Sequence, residues 1–460
     1  MPAGANELLL KIRHHAPSFP VNGNKKRLKT LHAYIFMKIA NMDEIGITEK
    51  RRYILGIIED AMNELTPEKA IKNNFHADIG KYDKIYVIGF GKAAYSMYTG
   101  IRDYIIKKIS YAGIIIPEDE NPPVQFPELE ILRGTHPYVS QLTVDSSARL
   151  LSGVRNASGN DLVIVLISGG GSSLFEMPGP GIGINDIMEV SREIMNNDGD
   201  IYTLNRIRSM LSSVKGGKLA QILYPASVLS YIISDVIYDD MGIIASGPLV
   251  RPEPVKDISK LIDRYVTGKN LVSLLKERIT SANLDDKYYS SIENHIILSN
   301  NDFVSNIFSR IDGEKINIGS NINGDVNPVS RNILSILRSV YSLKGRGFWF
   351  VCGGETTVNV QGNGSGGRNQ ELVLRLLEGM KPGEEYTFCS MGTDGIDGKS
   401  SAAGGIVDQH TSIPDLGMYL QNNDSNSALS LCHGSIITGR TGNNVSDIMV
   451  GYYSGINGNF

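Results

Sequence analysis

Short apolar runs that end in glycine, serine or aspartate recur along this chain, and they set its expected architecture. Lys84-Ile85-Tyr86-Val87-Ile88 leads into Gly89 and Gly91 and is followed by a helical stretch. Ala112-Gly113-Ile114-Ile115-Ile116 stops at Pro117, Leu162 to Ile167 at Ser168-Gly169-Gly170-Gly171, and Val228 to Ile233 at Ser234-Asp235. His295-Ile296-Ile297-Leu298 is a further strand candidate. Continuous β-branched runs alternating with helical stretches predict a parallel sheet covered on both faces. A second set follows a basic, Gly-marked stretch, Lys344 to Gly347. In it, Phe348-Trp349-Phe350-Val351 closes on Gly353-Gly354-Glu355, Tyr386 to Cys389 on Gly392-Thr393-Asp394-Gly395, and Ser435-Ile436-Ile437 on Thr438-Gly439-Arg440-Thr441-Gly442. Upstream, Ile47 to Leu65 has helical spacing and is stopped by Pro67. The expected organisation is α/β throughout: a parallel-sheet domain over residues 43–340 and a smaller α/β domain over 341–460. Residues 1–42, basic around Leu8-Leu9-Leu10, read as a disordered or mis-started extension, with Met42 opening the folded protein.

Composition narrows the function classes. The chain has 460 residues, 41% hydrophobic and 20% charged, a globular mix. Its net charge of −4 gives no reason to expect a nucleic-acid or anionic-membrane partner. No apolar stretch approaches the roughly 18 residues of a membrane span. Cys352, Cys389 and Cys432 form neither a disulfide framework nor a CxxC zinc site, and read as buried small hydrophobes. A cytoplasmic protein is expected.

The candidate chemistry sits where the apolar runs end, which in open parallel sheets is where ligands bind. Ser168-Gly169-Gly170-Gly171-Ser172-Ser173 offers converging backbone N–H groups and hydroxyls to an anion; a helix opening there would add partial positive charge. Gly89-Phe90-Gly91-Lys92 lacks the P-loop spacing, but a lysine opening a helix is favourable only beside an anion. Lys215-Gly216-Gly217-Lys218, preceded by Asn205 and Arg208, pairs cations with pliant backbone and suits phosphate. Arg368, in Gly366-Gly367-Arg368-Asn369, can hold a phosphoryl or carboxylate group bidentately. Asp394 and Asp397 lie three apart in a glycine-rich loop. They suit Mg²⁺, which takes one or two carboxylates plus phosphate oxygens, or else they only form Asp-Gly turns. Asp235 and Glu355 are rival acids, and His136 either lines the site or is structural.

Taken together, GFGKAA (89–94), GTHP (134–137), LISGGGSS (166–173), SVKGGKLA (213–220), SDVIYDDMGIIASGP (234–248), CGGETTV (352–358), GGRNQEL (366–372), GTDGIDG (392–398) and TGRTGNNVSD (438–447) resemble the glycerate 2-kinase family. The resemblance implies a Rossmann-like N-terminal domain and a C-terminal MOFRL domain. It implies transfer of the γ-phosphoryl group of ATP, with a divalent metal, to glycerate in a cleft between them. Lys92 and Arg368 match the family's catalytic positions. Asp235 is taken as the third catalytic group. Gly89, Gly91, Ser168, Gly169, Gly170, Gly171, Ser172, Lys215, Gly216, Gly217 and Lys218 are expected to bind the nucleotide, and Arg208, Glu355 and Asn369 the substrate. Asp394 and Asp397 are the expected metal ligands. A homodimer stays open. The chain departs from the family's usual TGPTGTN at Arg440 and Asn443. Two rivals remain: a hydroxypyruvate reductase and a non-catalytic nucleotide-binding regulator. The reductase needs an acidic residue closing the second strand, and that strand reads Ile114-Ile115-Ile116-Pro117.

Overall fold

In the computed structural model, which describes residues 37–456 apart from 198, 200, 253–256 and 282–284, two six-stranded sheets organise the chain. The first is wholly parallel: β1 (Ile85–Phe90), β2 (Ile109–Pro117), β3 (Leu129–Gly134), β4 (Leu162–Ile167), β5 (Ser227–Ile233) and β6 (Ile292–Leu298). Every residue of β1 and β4 is buried, which is why both read as unbroken apolar runs. The strand order is β3-β2-β1-β4-β5-β6. It reverses between β1 and β4, and a crevice at such a reversal is the usual ligand position in an open α/β sheet.

The second sheet has the order β11-β10-β9-β12-β8-β7. β7 (Lys315–Asp325) and β8 (Phe348–Thr357) run parallel, joined by the helix Val326–Lys344. β9 (Glu385–Gly392), β10 (Gly404–Asp408), β11 (Ser435–Ile436) and β12 (Asp447–Ser454) complete it with antiparallel pairings. This sheet therefore begins at Lys315, upstream of the boundary expected near residue 340. β7 reads KINIGSNINGD and breaks register twice, so its polar and glycine positions hide it.

One apolar cluster runs from Ile85, Ile114 and Leu166 of the first sheet to Val351, Met391 and Val450 of the second. The helix Glu49–Glu64 contributes Ile54, Leu55 and Ile58 to it. Arg51 of that helix is fully buried, and its Nε reaches Asp408 Oδ2 at 2.8 Å while its Nη2 donates to Thr411 Oγ1 at 2.8 Å. Residues 1–36 of the expected extension lie outside the described residues. Met37 to Asn41, which were grouped with it, are tied into the fold. Met37 N donates to Asn63 Oδ1 at 2.7 Å, Ala40 N to Ile437 O at 2.6 Å, and Asn41 Nδ2 to Ser435 O at 2.8 Å. Cys352 and Cys389 are buried and Cys432 half-buried, all as free thiols. No described helix is long and apolar enough to cross a membrane.

Candidate active site

The loops after β1 and β4 emerge side by side and are laced together. Lys92 N donates to Gly169 O at 3.0 Å, and Ala93 N donates to Ser168 Oγ at 2.9 Å. Gly91, at φ +124°, lies so close that a Cβ there would stand 2.3 Å from Ser168 Oγ. Only glycine permits both the conformation and the approach. The amides of Gly169, Gly170 and Ser172 meet no acceptor among the described residues. The helix that follows is a single turn, Gly171–Leu174, so the loop amides themselves, rather than a helix dipole, are the available donors.

The second sheet's loops lie against this surface. Lys92 Nζ stands 3.5 Å from Asp394 Oδ2, and both side chains are 29% exposed, as cleft walls would be. At the end of β5, Asp235 Oδ2 accepts from Asn444 Nδ2 at 3.3 Å, and Asp235 O accepts from Ser446 Oγ at 2.8 Å. Gly169 makes room for this contact: a Cβ there would fall 2.2 Å from Asn444 Nδ2 and 2.4 Å from Asp235 Oδ2. Burial raises the Asp235 carboxyl above the usual range; Lys92 opposes the shift and Asp394 adds to it.

Arg368 opens the helix Arg368–Glu378, and its guanidinium forks onto Asp447, with Nε to Oδ2 at 2.6 Å and Nη2 to Oδ1 at 2.8 Å. Asp447 is fully buried, so this is the bidentate pairing that fixes guanidinium orientation. Glu355, at the end of β8, lies 3.4 Å from Arg368 Nη2. Its side chain is 45% exposed, yet burial at the carboxyl pushes it up to about 7. Arg368 resists that shift, and Asp447, Asp235 and Asp394 reinforce it.

Several expected site residues are engaged elsewhere. Lys215 is fully buried and donates to Ser172 O at 2.7 Å and Phe175 O at 3.0 Å, so it cannot reach a phosphate in the cleft. Lys218 donates to Ser212 O at 2.6 Å and also to Ser209 O. Gly216 N and Gly217 N donate to Ser246 O and Gly247 O, forming a structural turn. Arg208 Nη2 donates to Ser172 O at 3.1 Å, behind the loop rather than in front of it. Asn369 is buried and bonds to Asp447 Oδ1 and Ser390 Oγ. Asp397 accepts from Asn369 N at 3.1 Å and Gln370 N at 2.8 Å, anchoring the start of the Arg368 helix. Its expected pairing with Asp394 around a metal is thus replaced by a capping role. Gly89 sits inside the sheet against Ile114 and Leu166. Ser168 and Ser172 spend their hydroxyls on Ala93 N and Ser246 Oγ.

Lys92, Arg368, Asp235, Asp394, Glu355 and the loop Ser168 to Gly171 are brought together by direct contacts and mutual charge effects. Asn444, Asp447, Asp119 and Glu120 join them without having been singled out. Asn444 and Asp447 stood inside the quoted TGRTGNNVSD segment, but polar residues ahead of a strand read as turn formers. Glu118, Asp119 and Glu120 follow β2 directly, so acids do stand beyond Pro117. Asp119 is engaged by Arg440 at 2.7 Å. Burial pushes Glu120 up to about 7, while Arg133 and then Arg440 pull it down. His136 lies over Gly170; burial, then Lys92, lowers its ring to about 4, so it stays neutral at ordinary pH.

Among the described residues no group of three or more His, Cys, Asp or Glu side chains is arranged to hold a metal. Asp235 and Asp394 nonetheless fit a Mg²⁺ ion bound chiefly through phosphates, which asks the protein for only one or two carboxylates.

The chain resembles known proteins along most of its length. A family described as a domain of unknown function matches residues 53–280, and the MOFRL family matches residues 348–447. A glycerate 2-kinase of Picrophilus torridus is 51% identical over 418 residues, covering 90% of this chain and 99% of that protein. A D-glycerate 2-kinase of Thermotoga maritima is 32% identical, covering 87% of this chain and 98% of its own. The crystal structure of a glycerate kinase from Thermotoga maritima superposes with a TM-score of 0.77 at 31% identity, covering 87% of this chain and 98% of that one.

Proposed function

The chain belongs to the glycerate 2-kinase family, and on that premise we propose that it transfers the γ-phosphoryl group of ATP to the 2-hydroxyl of D-glycerate, giving 2-phosphoglycerate and ADP. The observation that carries the reading is the convergence of Lys92 from the first sheet with Asp394 and the Arg368–Asp447 fork from the second, at the reversal of strand order.

Phosphoryl transfer asks a protein mainly for positioning and charge stabilisation. The free amides of Gly169, Gly170 and Ser172 take the nucleotide phosphates. Lys92 and Arg368 neutralise the charge that develops on the transferred group, and Arg368 also faces the glycerate carboxylate. The 2-hydroxyl oxygen forms a bond to the γ-phosphorus as the bond to the β-phosphate oxygen breaks. Asp235, whose raised carboxyl favours taking up a proton, accepts the hydroxyl proton. Glu355, beside Arg368, accepts a hydrogen bond from the remaining hydroxyl. Asp394 would hold a Mg²⁺ ion bound chiefly through the nucleotide phosphates, and that ion would neutralise phosphate charge. Closure of the cleft around these groups limits loss of the phosphoryl group to water.

The test is turnover with saturating ATP and D-glycerate. Lys92→Ala and Arg368→Ala each lower kcat by about a hundredfold or more, as loss of a transition-state charge partner does. Near-normal turnover of Arg368→Ala contradicts the assignment.

A further inference from the structure

Behind the loop of residues 168–173 lies a charged cluster that the proposed chemistry does not use. Lys215 and Glu176 have no exposed side-chain surface, and Arg208 keeps 14%. Lys215 Nζ and Arg208 Nη2 both donate to Ser172 O, at 2.7 and 3.1 Å. The Glu176 carboxylate stands 3.7 Å from Lys215 Nζ and 3.9 Å from Arg208 Nη2, beyond hydrogen-bond reach. Neither of its oxygens has a hydrogen-bond partner among the described residues. Lys215 and Arg208 thus face one carboxylate, with which Lys218 also interacts, so positive charge is in surplus inside the protein.

A surplus buried charge is costly to fold around. Holding the Ser172 and Phe175 carbonyls requires only donors, not charge, so the clip alone does not account for it. The surplus lies directly against a loop whose Gly169, Gly170 and Ser172 amides are unengaged. Gly170 and Ser172 are also partly open to solvent. Positive charge at the back and free donors in the loop are a preorganised arrangement for an anion.

We propose that Lys215 and Arg208 are positioning residues for nucleotide phosphate binding: they fix the Ser172 peptide and, against Glu176, supply the surplus charge that the loop presents to the phosphates. This rests on the reading that the loop takes the nucleotide phosphates.

The experiment compares Lys215→Met with Glu176→Gln, measuring KM for ATP, KM for glycerate, kcat and melting temperature. Lys215→Met reduces the surplus and raises KM for ATP by about ten- to thirtyfold, the size of one charge acting over about 8–12 Å at an effective dielectric near 20. KM for glycerate moves much less. Glu176→Gln enlarges the surplus, so it leaves KM for ATP unchanged or lower even as it costs melting temperature. Lys215→Arg keeps the charge and restores KM for ATP towards the parent value. If Lys215→Met does not fold, Arg208→Met takes its place with the same expectation. If the cation-removing variant and Glu176→Gln both raise KM for ATP in step with lost melting temperature, the cluster is only a structural clip and the proposal is overturned. Amide hydrogen exchange of residues 168–175 in the parent protein, with and without ATP, separates the two levels. Slowed exchange with an unmoved KM in the cation-removing variant overturns this proposal alone, whereas exchange that ATP does not slow overturns the loop reading and this proposal with it.

Discussion

Asp447→Asn is the most informative substitution at the site, because it keeps volume while removing the charge and one of the two acceptor oxygens that orient Arg368. In the parent, Arg368 donates twice to a fully buried carboxylate, at 2.6 and 2.8 Å. Asparagine offers one acceptor oxygen and no charge, so one charge-assisted hydrogen bond and the ion pair are lost. A hydrogen bond to a charged group contributes about 1.5–3 kcal/mol. Arg368 is 32% exposed, and water replaces part of what is lost, so the lower end applies. A loss of about 1.5 kcal/mol in holding the guanidinium is roughly tenfold in rate, and drift of the group by about 1 Å adds up to a hundredfold. The expected kcat is therefore about ten- to a thousandfold below the parent, with KM for ATP nearly unchanged. A coupled ADP-release assay with saturating D-glycerate and Mg-ATP reads this directly, and thermal melting checks that the fold survives. A kcat within twofold of the parent in a folded Asp447→Asn protein refutes the view that Asp447 aims Arg368 at the reacting group.

Two further outcomes follow from the site. Asp397→Asn, which weakens the anchoring of two amides at a helix start, lowers stability by about 1–2 kcal/mol in urea titrations but leaves the Mg²⁺ dependence unchanged. Asp394→Asn does the reverse, raising the Mg²⁺ concentration needed for half-maximal rate; equal shifts in both variants refute the separation of roles. Glu355, pushed up to about 7, is protonated below that pH and then no longer pairs with Arg368 or accepts from substrate. kcat/KM for glycerate therefore rises with pH through about 7, and Glu355→Gln flattens that rise; a profile unchanged by the substitution excludes Glu355 as its source.

The strands that read as unbroken apolar runs were legible in the sequence, whereas β3, β7, β10 and β12, short or broken by polar and glycine positions, were not. β1 and β4 are buried on both faces, so Ile, Val and Leu run unbroken there. β3 reads LEILRG on a sheet edge, where charged residues interrupt the run. β10 is only five residues long, two of them glycine. The loops of the site were legible as glycine clusters, but the direction of each side chain was not. Lys92 and Lys215 both stand beside glycines, yet one enters the cleft and the other is buried behind the loop. Asp394 and Asp397 look equivalent three residues apart, and only the packing of the Arg368 helix assigns the second to backbone amides. The Arg368–Asp447 fork joins residues 79 apart in sequence, a pairing that no local pattern encodes.

The central claim is tested most directly by identifying the product formed from D-glycerate and Mg-ATP, using ADP release followed by phosphorus NMR. The account predicts stoichiometric ADP and a 2-phosphoglycerate signal. ADP release with 3-phosphoglycerate contradicts the assigned hydroxyl, and no glycerate-dependent ADP release contradicts the proposed reaction altogether.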